Sequence, residues 1–164
     1  MIGEVNEGNI LPEMKTAYKT ADMILVDPPG GSSMVAVKAL TKSHFVLIPT
    51  QHSLLDARDA AKTVAQVDDA QELGRYPIAR SLIWTRVMPG FESRSARRVR
   101  TDMENIEVPT FATTLMNRAL FQEMFLRAQV PRQFKPGESE AKNLSAITEE
   151  LVGKLEKIAQ EQAA

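Results

Sequence analysis

The chain has 164 residues, 43% of them hydrophobic and 25% charged, with a formal charge of -1 and no cysteine. That length and balance suit one globular domain spanning 1–164, and the near-zero charge leaves only local patches as a case for nucleic acid. Disulfides and thiolate metal sites are excluded, a cytoplasmic location is expected, no apolar run approaches a membrane span, and Met1 to Gly8 has no signal-peptide pattern.

Leu11, Met14 and Tyr18 recur at helical spacing, with Pro12 tolerable in a first turn. Met23 to Val26 is an unbroken apolar run, which predicts a strand buried on both faces. Ser32 or Ser33 caps a helix to about Lys42, with Met34, Val37 and Leu40 inward. His44 to Ile48 reads as a second buried strand, stopped by Pro49. Ser53 and Asp56 resemble a capping box opening a helix to Leu73, with Leu54, Ala57, Ala61, Val64 and Val67 inward. Ile78 to Trp84 is a third strand, Ser93 to Ile106 a helix, and Pro109 to Thr113 a fourth, short strand. Met116 to Gln129 reads as an amphipathic helix with Leu120, Met124 and Phe125 inward. Glu140 to Gln162 reads as a closing helix that packs on the sheet or serves as a partner surface. Strands alternating with helices predict an α/β fold with a mainly parallel, doubly wound sheet.

The stretch that organises this pattern is Met23 to Gly31. Asp27 ends the apolar run and is followed by Pro28, Pro29, Gly30 and Gly31. The carboxyl end of a buried strand is where open α/β sheets bind ligands. A carboxylate there is able to hold Mg²⁺ through a water, and a glycine turn to sense a terminal phosphate. The simpler reading is a strand followed by a Pro-Gly turn, with Asp27 capping a neighbour.

Val26-Asp27-Pro28-Pro29-Gly30-Gly31 resembles the switch II (Walker B) segment of ParA/MinD-type partition ATPases. Phe45 to Gln51, followed by Ser53 to Ala57, is similar to that family's next strand and helix. Arg118 to Phe125 resembles a helix near its end. Plasmid partition proteins and the ATPase that assists T-DNA transfer are the nearest in character. The resemblance implies a P-loop NTPase fold, ATP and Mg as cofactors, a homodimer or a full-length relative as partner, a ParB-like partner and non-specific DNA. It places Mg²⁺ at Asp27 and nucleotide near Pro28 to Gly31, Thr85 and Arg86. DNA falls to Arg94, Arg97, Arg98 and Arg100, in a nucleoid-associated protein of DNA segregation.

The departure from the family is a K-G-G-x-G-K-T loop, which this sequence does not contain; its one Gly-Gly, at Gly30, precedes Ser32. The backbone cradle and lysine that grip the β- and γ-phosphates are then missing. The chain reads as the C-terminal portion of such an ATPase, unable to hydrolyse ATP alone. The alternative is a non-catalytic module regulating a full-length relative. In the family the P-loop strand lies between the strands read here at Met23 and Phe45. Without it those two either pair directly or wait for a partner, and marginal stability or self-association is expected.

Arg94, Arg97 and Arg98 fall at i, i+3 and i+4, on one helix face, with Arg86 upstream. They suit phosphate contact, or else pair with Glu92, Asp102 and Glu104 on a solvated face. Asp27 to Gly30 also fits the D-x-x-G of GTPases, but Thr85 to Met88 does not fit the guanine-reading N-K-x-D. His44 and His52 lack a triad or metal partner and read as structural, and the methionines as core filler. Gln51 and Asp56 follow the second strand at the expected dimer-facing edge, although helix capping explains Asp56 equally well.

Overall fold

A computed structural model describes residues 4–28, 33–74, 76–130, 133 and 138–163. Its elements are α1 (Ile10–Ala17), α2 (Met34–Leu40), β1 (Phe45–Thr50), α3 (Leu54–Leu73), β2 (Ala79–Trp84), α4 (Arg94–Glu104), α5 (Ala119–Leu126) and α6 (Ser139–Ala163). The chain divides into two compact units, Met1–Val46 with Ala65–Ile78, and Leu47–Val64 with Ala79–Ala164.

In the first unit, Asn6 and Asn9 organise the turn into α1. The Asn6 N–H donates to Asn9 Oδ1 at 2.6 Å and the Gly8 N–H to Asn6 Oδ1 at 2.8 Å. On α1 Ile10 is buried and Met14 and Ala17 are half-buried, while Leu11 and Tyr18 face solvent, so of the expected face only Met14 points inward. Ser33 caps α2, accepting from the Ala36 N–H at 3.1 Å. Ala36 and Ala39 are the buried residues of α2 and Met34 is exposed, against the inward role expected for it. Small side chains on this face let α2 lie close against α1. The core is Val67, Ala70 and Ile78, with Leu40 and Val46 packed on it. Burying Val67 fully contributes roughly 1.5–3 kcal/mol.

The strand expected at Met23 to Val26 does not form. These residues are irregular, with Met23 64% and Leu25 90% exposed. The physical reason is pairing. An apolar run becomes a strand only against a ladder partner, and among the described residues none pairs with it. Direct pairing of this run with Phe45 to Ile48 is therefore not observed.

In the second unit, β1 and β2 form a parallel two-stranded sheet. β1 runs through Pro49 to Thr50 instead of stopping at Ile48. The Thr50 carbonyl accepts the Thr85 N–H at 2.8 Å, so Thr50 faces β2. By alternation Pro49 faces the outer edge, where its missing N–H breaks no ladder bond. β2 is central. The Leu82 N–H donates to the Pro109 carbonyl at 2.8 Å, and the Phe111 N–H to the Leu82 carbonyl at 2.8 Å. Leu115 and Asn117 continue this pairing on Trp84 and Val87. The fourth strand expected at Pro109 to Thr113 is thus reduced to one isolated parallel bridge, Leu82 with Thr110, and a second bridge, Val87 with Met116, lies beyond it.

Side chains of α6 bond the backbone between those bridges. Glu150 accepts the Ala112 and Thr113 N–H groups, each at 2.9 Å. Asn143 accepts the Met116 N–H at 3.0 Å and donates to the Thr114 carbonyl at 2.8 Å. Because Met116 and Asn117 belong to this pairing, α5 starts at Ala119, later than expected. It carries half-buried Leu120 and Met124; the Phe125 side chain lies outside the described residues. In α3 the buried residues are Ala57, Ala60, Val67 and Ala70; Leu54 and Ala61, expected inward, are exposed.

Candidate functional site

The carboxyl ends of β1 and β2 carry a compact polar and aromatic group within the second unit. Thr50 is 2% exposed. Its carbonyl accepts from both the Thr85 N–H at 2.8 Å and the Thr85 hydroxyl at 3.1 Å, which fixes the two strand ends together. Ser53 then caps α3. Its Oγ accepts the Asp56 N–H at 3.1 Å and its hydroxyl donates to Asp56 Oδ2, the capping box expected from the sequence. Between these features His52 lies on the Trp84 ring, centroids 4.4 Å apart and planes tilted by 37°. His52 Nε2 and Thr50 Oγ1 are buried and have no hydrogen-bond partner among the described residues. Burial lowers the His52 pKa; Glu92 opposes this and Arg100 reinforces it. Arg86, one residue beyond Thr85, is exposed and holds a left-handed backbone with φ 54. For a non-glycine residue that conformation is uncommon, and it clusters at ligand sites.

The second feature is α4. Ser93 caps it, accepting the Ala96 N–H at 3.1 Å. Ala96, Val99 and Met103 are buried, at i, i+3 and i+7. That stripe fixes the opposite face, where Arg94, Arg97 and Arg98 project to solvent; the Arg98 side chain is 85% exposed. Arg97 reaches Glu92 at 3.3 Å and Arg98 reaches Asp102 at 3.9 Å. Among the described residues Arg94 has no acidic partner. Arg100 lies on the flank. It bonds Glu92 through Nε at 3.0 Å and reaches Glu104 at 3.4 Å. Arg100 and Arg97 hold the Glu92 carboxyl below the ordinary range.

The structure brings Arg94, Arg97 and Arg98 onto one face, with Arg100 on its flank bonding the same Glu92 carboxylate as Arg97. Thr85 and Arg86 stand at the end of β2, as the sequence placed them. Asp27 and Pro28 are exposed and belong to the other compact unit. Pro29, Gly30 and Gly31 lie outside the described residues. Among the described residues no three His, Asp or Glu side chains converge as a metal site. Sequence reasoning missed the Trp84–His52 stack; Glu92, named there as a pairing partner of the arginines, is shared by Arg97 and Arg100. A lone His next to a strand end carries no signal of what it stacks on.

A small parallel sheet among helices defines the class as α/β. The VirC1 protein family model matches residues 2–149, and the chain belongs to that ParA-like family. It is 23% identical over 124 residues to Protein ParA of Rhizobium radiobacter, covering 76% of this chain and 56% of that protein. Protein virC1 of Rhizobium radiobacter is 28% identical over 126 residues, 74% of this chain and 54% of that protein. The maintenance of carboxysome distribution protein A of Halothiobacillus neapolitanus is 23% identical over 141 residues, 85% of this chain and 64% of its own length. The chain thus spans little more than half to under two thirds of these relatives. No helix among the described residues is long and apolar enough to cross a membrane.

Proposed function

We propose that this chain is a ParA-type partition protein that meets DNA through the outer face of α4 and does not turn over ATP by itself. Plasmid partition, chromosome segregation and conjugative transfer are the settings its family points to. One observation supports the DNA contact above the others. The buried stripe Ala96–Val99–Met103 leaves Arg94, Arg97 and Arg98 together on the solvent side of one helix. Phosphate binding needs clustered cations and no base-reading geometry, so the contact is sequence-independent. Glu92 and Asp102 dilute this face, and binding is accordingly weak and salt-sensitive.

The proposal on ATP rests on the donor set. Mg²⁺ wants several oxygen ligands and the triphosphate wants a backbone cradle with a lysine. Asp27 is one exposed carboxylate, and no glycine-rich run in the sequence is followed by lysine. These residues do not fit the nucleotide on their own, and no catalytic step is assigned to them. In this reading the protein works as a binding module beside a full-length ParA-type relative and a ParB-like partner, in the cytoplasm at the nucleoid.

Anisotropy of a labelled DNA duplex at two salt concentrations tests the DNA contact. Binding at low salt that weakens steeply at high salt is the expected result. No binding at low salt overturns it. A phosphate-release assay tests the second half. No turnover above background is expected, and turnover that Asp27→Ala removes contradicts the reading.

A further inference from the structure

The turn that joins β2 to α4 displays two large apolar side chains to solvent. Phe91 is 71% exposed and Met88 55%. They stand at the two ends of one tight turn, closed by the Phe91 N–H on the Met88 carbonyl at 3.5 Å. Gly90 permits this turn with φ 72, a conformation that favours glycine. The turn is anchored on both sides. Before it, the Val87 N–H donates to the Leu115 carbonyl at 3.1 Å and the Val87 carbonyl accepts the Asn117 N–H at 2.8 Å. The Asn117 side-chain amide reaches the Met88 sulfur at 3.4 Å. After it, Glu92 is held by Arg97 and Arg100, and Ser93 caps α4. β2 has a neighbour on each edge, β1 on one and residues 109–117 on the other. The exposure of Met88 and Phe91 therefore does not come from an open sheet edge.

The charges around this tip decide what it meets. Arg86 precedes it and Arg94 follows it, both exposed, and Arg97 and Arg98 continue the cationic surface along α4. Glu92 is the one acid between Arg86 and Arg94, and two arginines engage it. An apolar tip between cations suits a polyanion that also offers apolar faces. Duplex DNA brings phosphates, but its base faces are hidden in the stack. Unpaired DNA brings both, since an exposed aromatic ring stacks on any base while arginines follow the backbone. A lipid surface is the weaker match, because membrane binding scales with buried apolar area and one turn offers two such side chains.

We propose that the Met88–Phe91 turn is a stacking platform for unpaired bases, which gives the α4 surface a hold on single-stranded DNA that a duplex lacks. Resting on the contact between α4 and DNA, this role adds the form of DNA that is held. Phe91 stacks on a base, Met88 packs beside it, and the arginines on either side take the adjoining phosphates.

The test uses the full chain and three labelled probes of equal length, read by anisotropy at low salt. They are a single strand of mixed sequence, the same backbone with every base removed, and a duplex. The single strand should bind at least about fivefold more tightly than the abasic strand. Phe91→Ala should weaken the single strand by about fivefold or more and leave its salt slope unchanged, because stacking releases no counterions. It should leave the abasic strand and the duplex unaffected. Phe91→Trp should keep the binding, and its added indole emission should be quenched by the single strand. Phe91 is exposed, so the fold should survive each change, as circular dichroism will show. Equal affinity for the based and abasic strands, or an equal loss on single strand and duplex in Phe91→Ala, would overturn the proposal and leave the α4 contact standing. No binding of any probe would remove the α4 contact together with it. Phe91-dependent binding of anionic phospholipid vesicles, with no difference between the two strands, would overturn it in favour of a membrane surface.

Discussion

Glu150 is a single carboxylate that holds two backbone N–H groups of the segment paired with β2. Burial pushes its pKa up, but the Thr113 and Ala112 N–H groups outweigh this and the net shift is downward. A depressed carboxylate stabilises the fold above its unfolded pKa, and that stability is lost as pH falls through the folded value. Glu150→Ala should therefore cost roughly 1–3 kcal/mol near neutral pH. It should cost less at a pH well below the ordinary carboxylate range, where the wild-type carboxylate is itself protonated. A urea titration at the two pH values checks this; an equal loss at both would show that packing, not charge, matters there. His52 carries a linkage of the same sign. Its folded pKa lies below the ordinary 6.5 because burial disfavours the imidazolium. Stability is full above that value and declines as pH falls below it. Trp84 is the one tryptophan in the chain and touches His52, so its fluorescence reports the ring directly. The emission should change as pH falls below the ordinary histidine range, and His52→Leu should flatten the curve. A curve unchanged in His52→Leu would show that the ring next to Trp84 is not the titrating group.

Among the elements, α4 links cap, core and candidate surface. Ser93→Ala removes the one side-chain cap and should cost about 1 kcal/mol, read as a lower urea midpoint with unchanged slope. Helix ends were legible in the sequence wherever a cap residue stood, as with Ser33, Ser53 and Ser93. Inner faces were less legible. In α2 and α3 the buried positions are largely alanines, while larger residues such as Met34 and Leu54 point outward. Residue size predicts burial poorly where helices approach closely, because the approach itself selects small side chains. The strand at Met23 was illegible for a different reason. Hydrophobic run length reports what a segment can bury, not whether a neighbour exists to pair with it. Pro49 misled in the same way. A proline stops a central strand, but which edge it faces is fixed only by the partner at Thr85.

For the molecule as a whole, the alternation of strand and helix and the parallel sense of the sheet were legible in the sequence, as was the family membership from the motifs, although the strands expected at Met23 and Pro109 do not form. The α4 face was legible because i, i+3, i+4 spacing survives any tertiary arrangement. Glu92, Asp102 and Glu104 were legible as their partners too; that Arg97 and Arg100 share Glu92 was not, since they meet it only once the cap and helix are formed. Leu82, fully buried in β2, tests the sheet itself: Leu82→Ala should cost roughly 2–5 kcal/mol and lower the melting temperature. A loss under about 1 kcal/mol would mean that the second unit is not held by β2. The most direct measurement of the proposed function is the salt dependence of duplex binding. Each phosphate neutralised contributes about 0.9 to the slope of log affinity against log salt. Replacing Arg94, Arg97 and Arg98 together by Ala should therefore flatten that slope by about 2 to 3, with the fold intact by circular dichroism. An unchanged slope in the triple variant would place the DNA contact elsewhere and remove α4 from it.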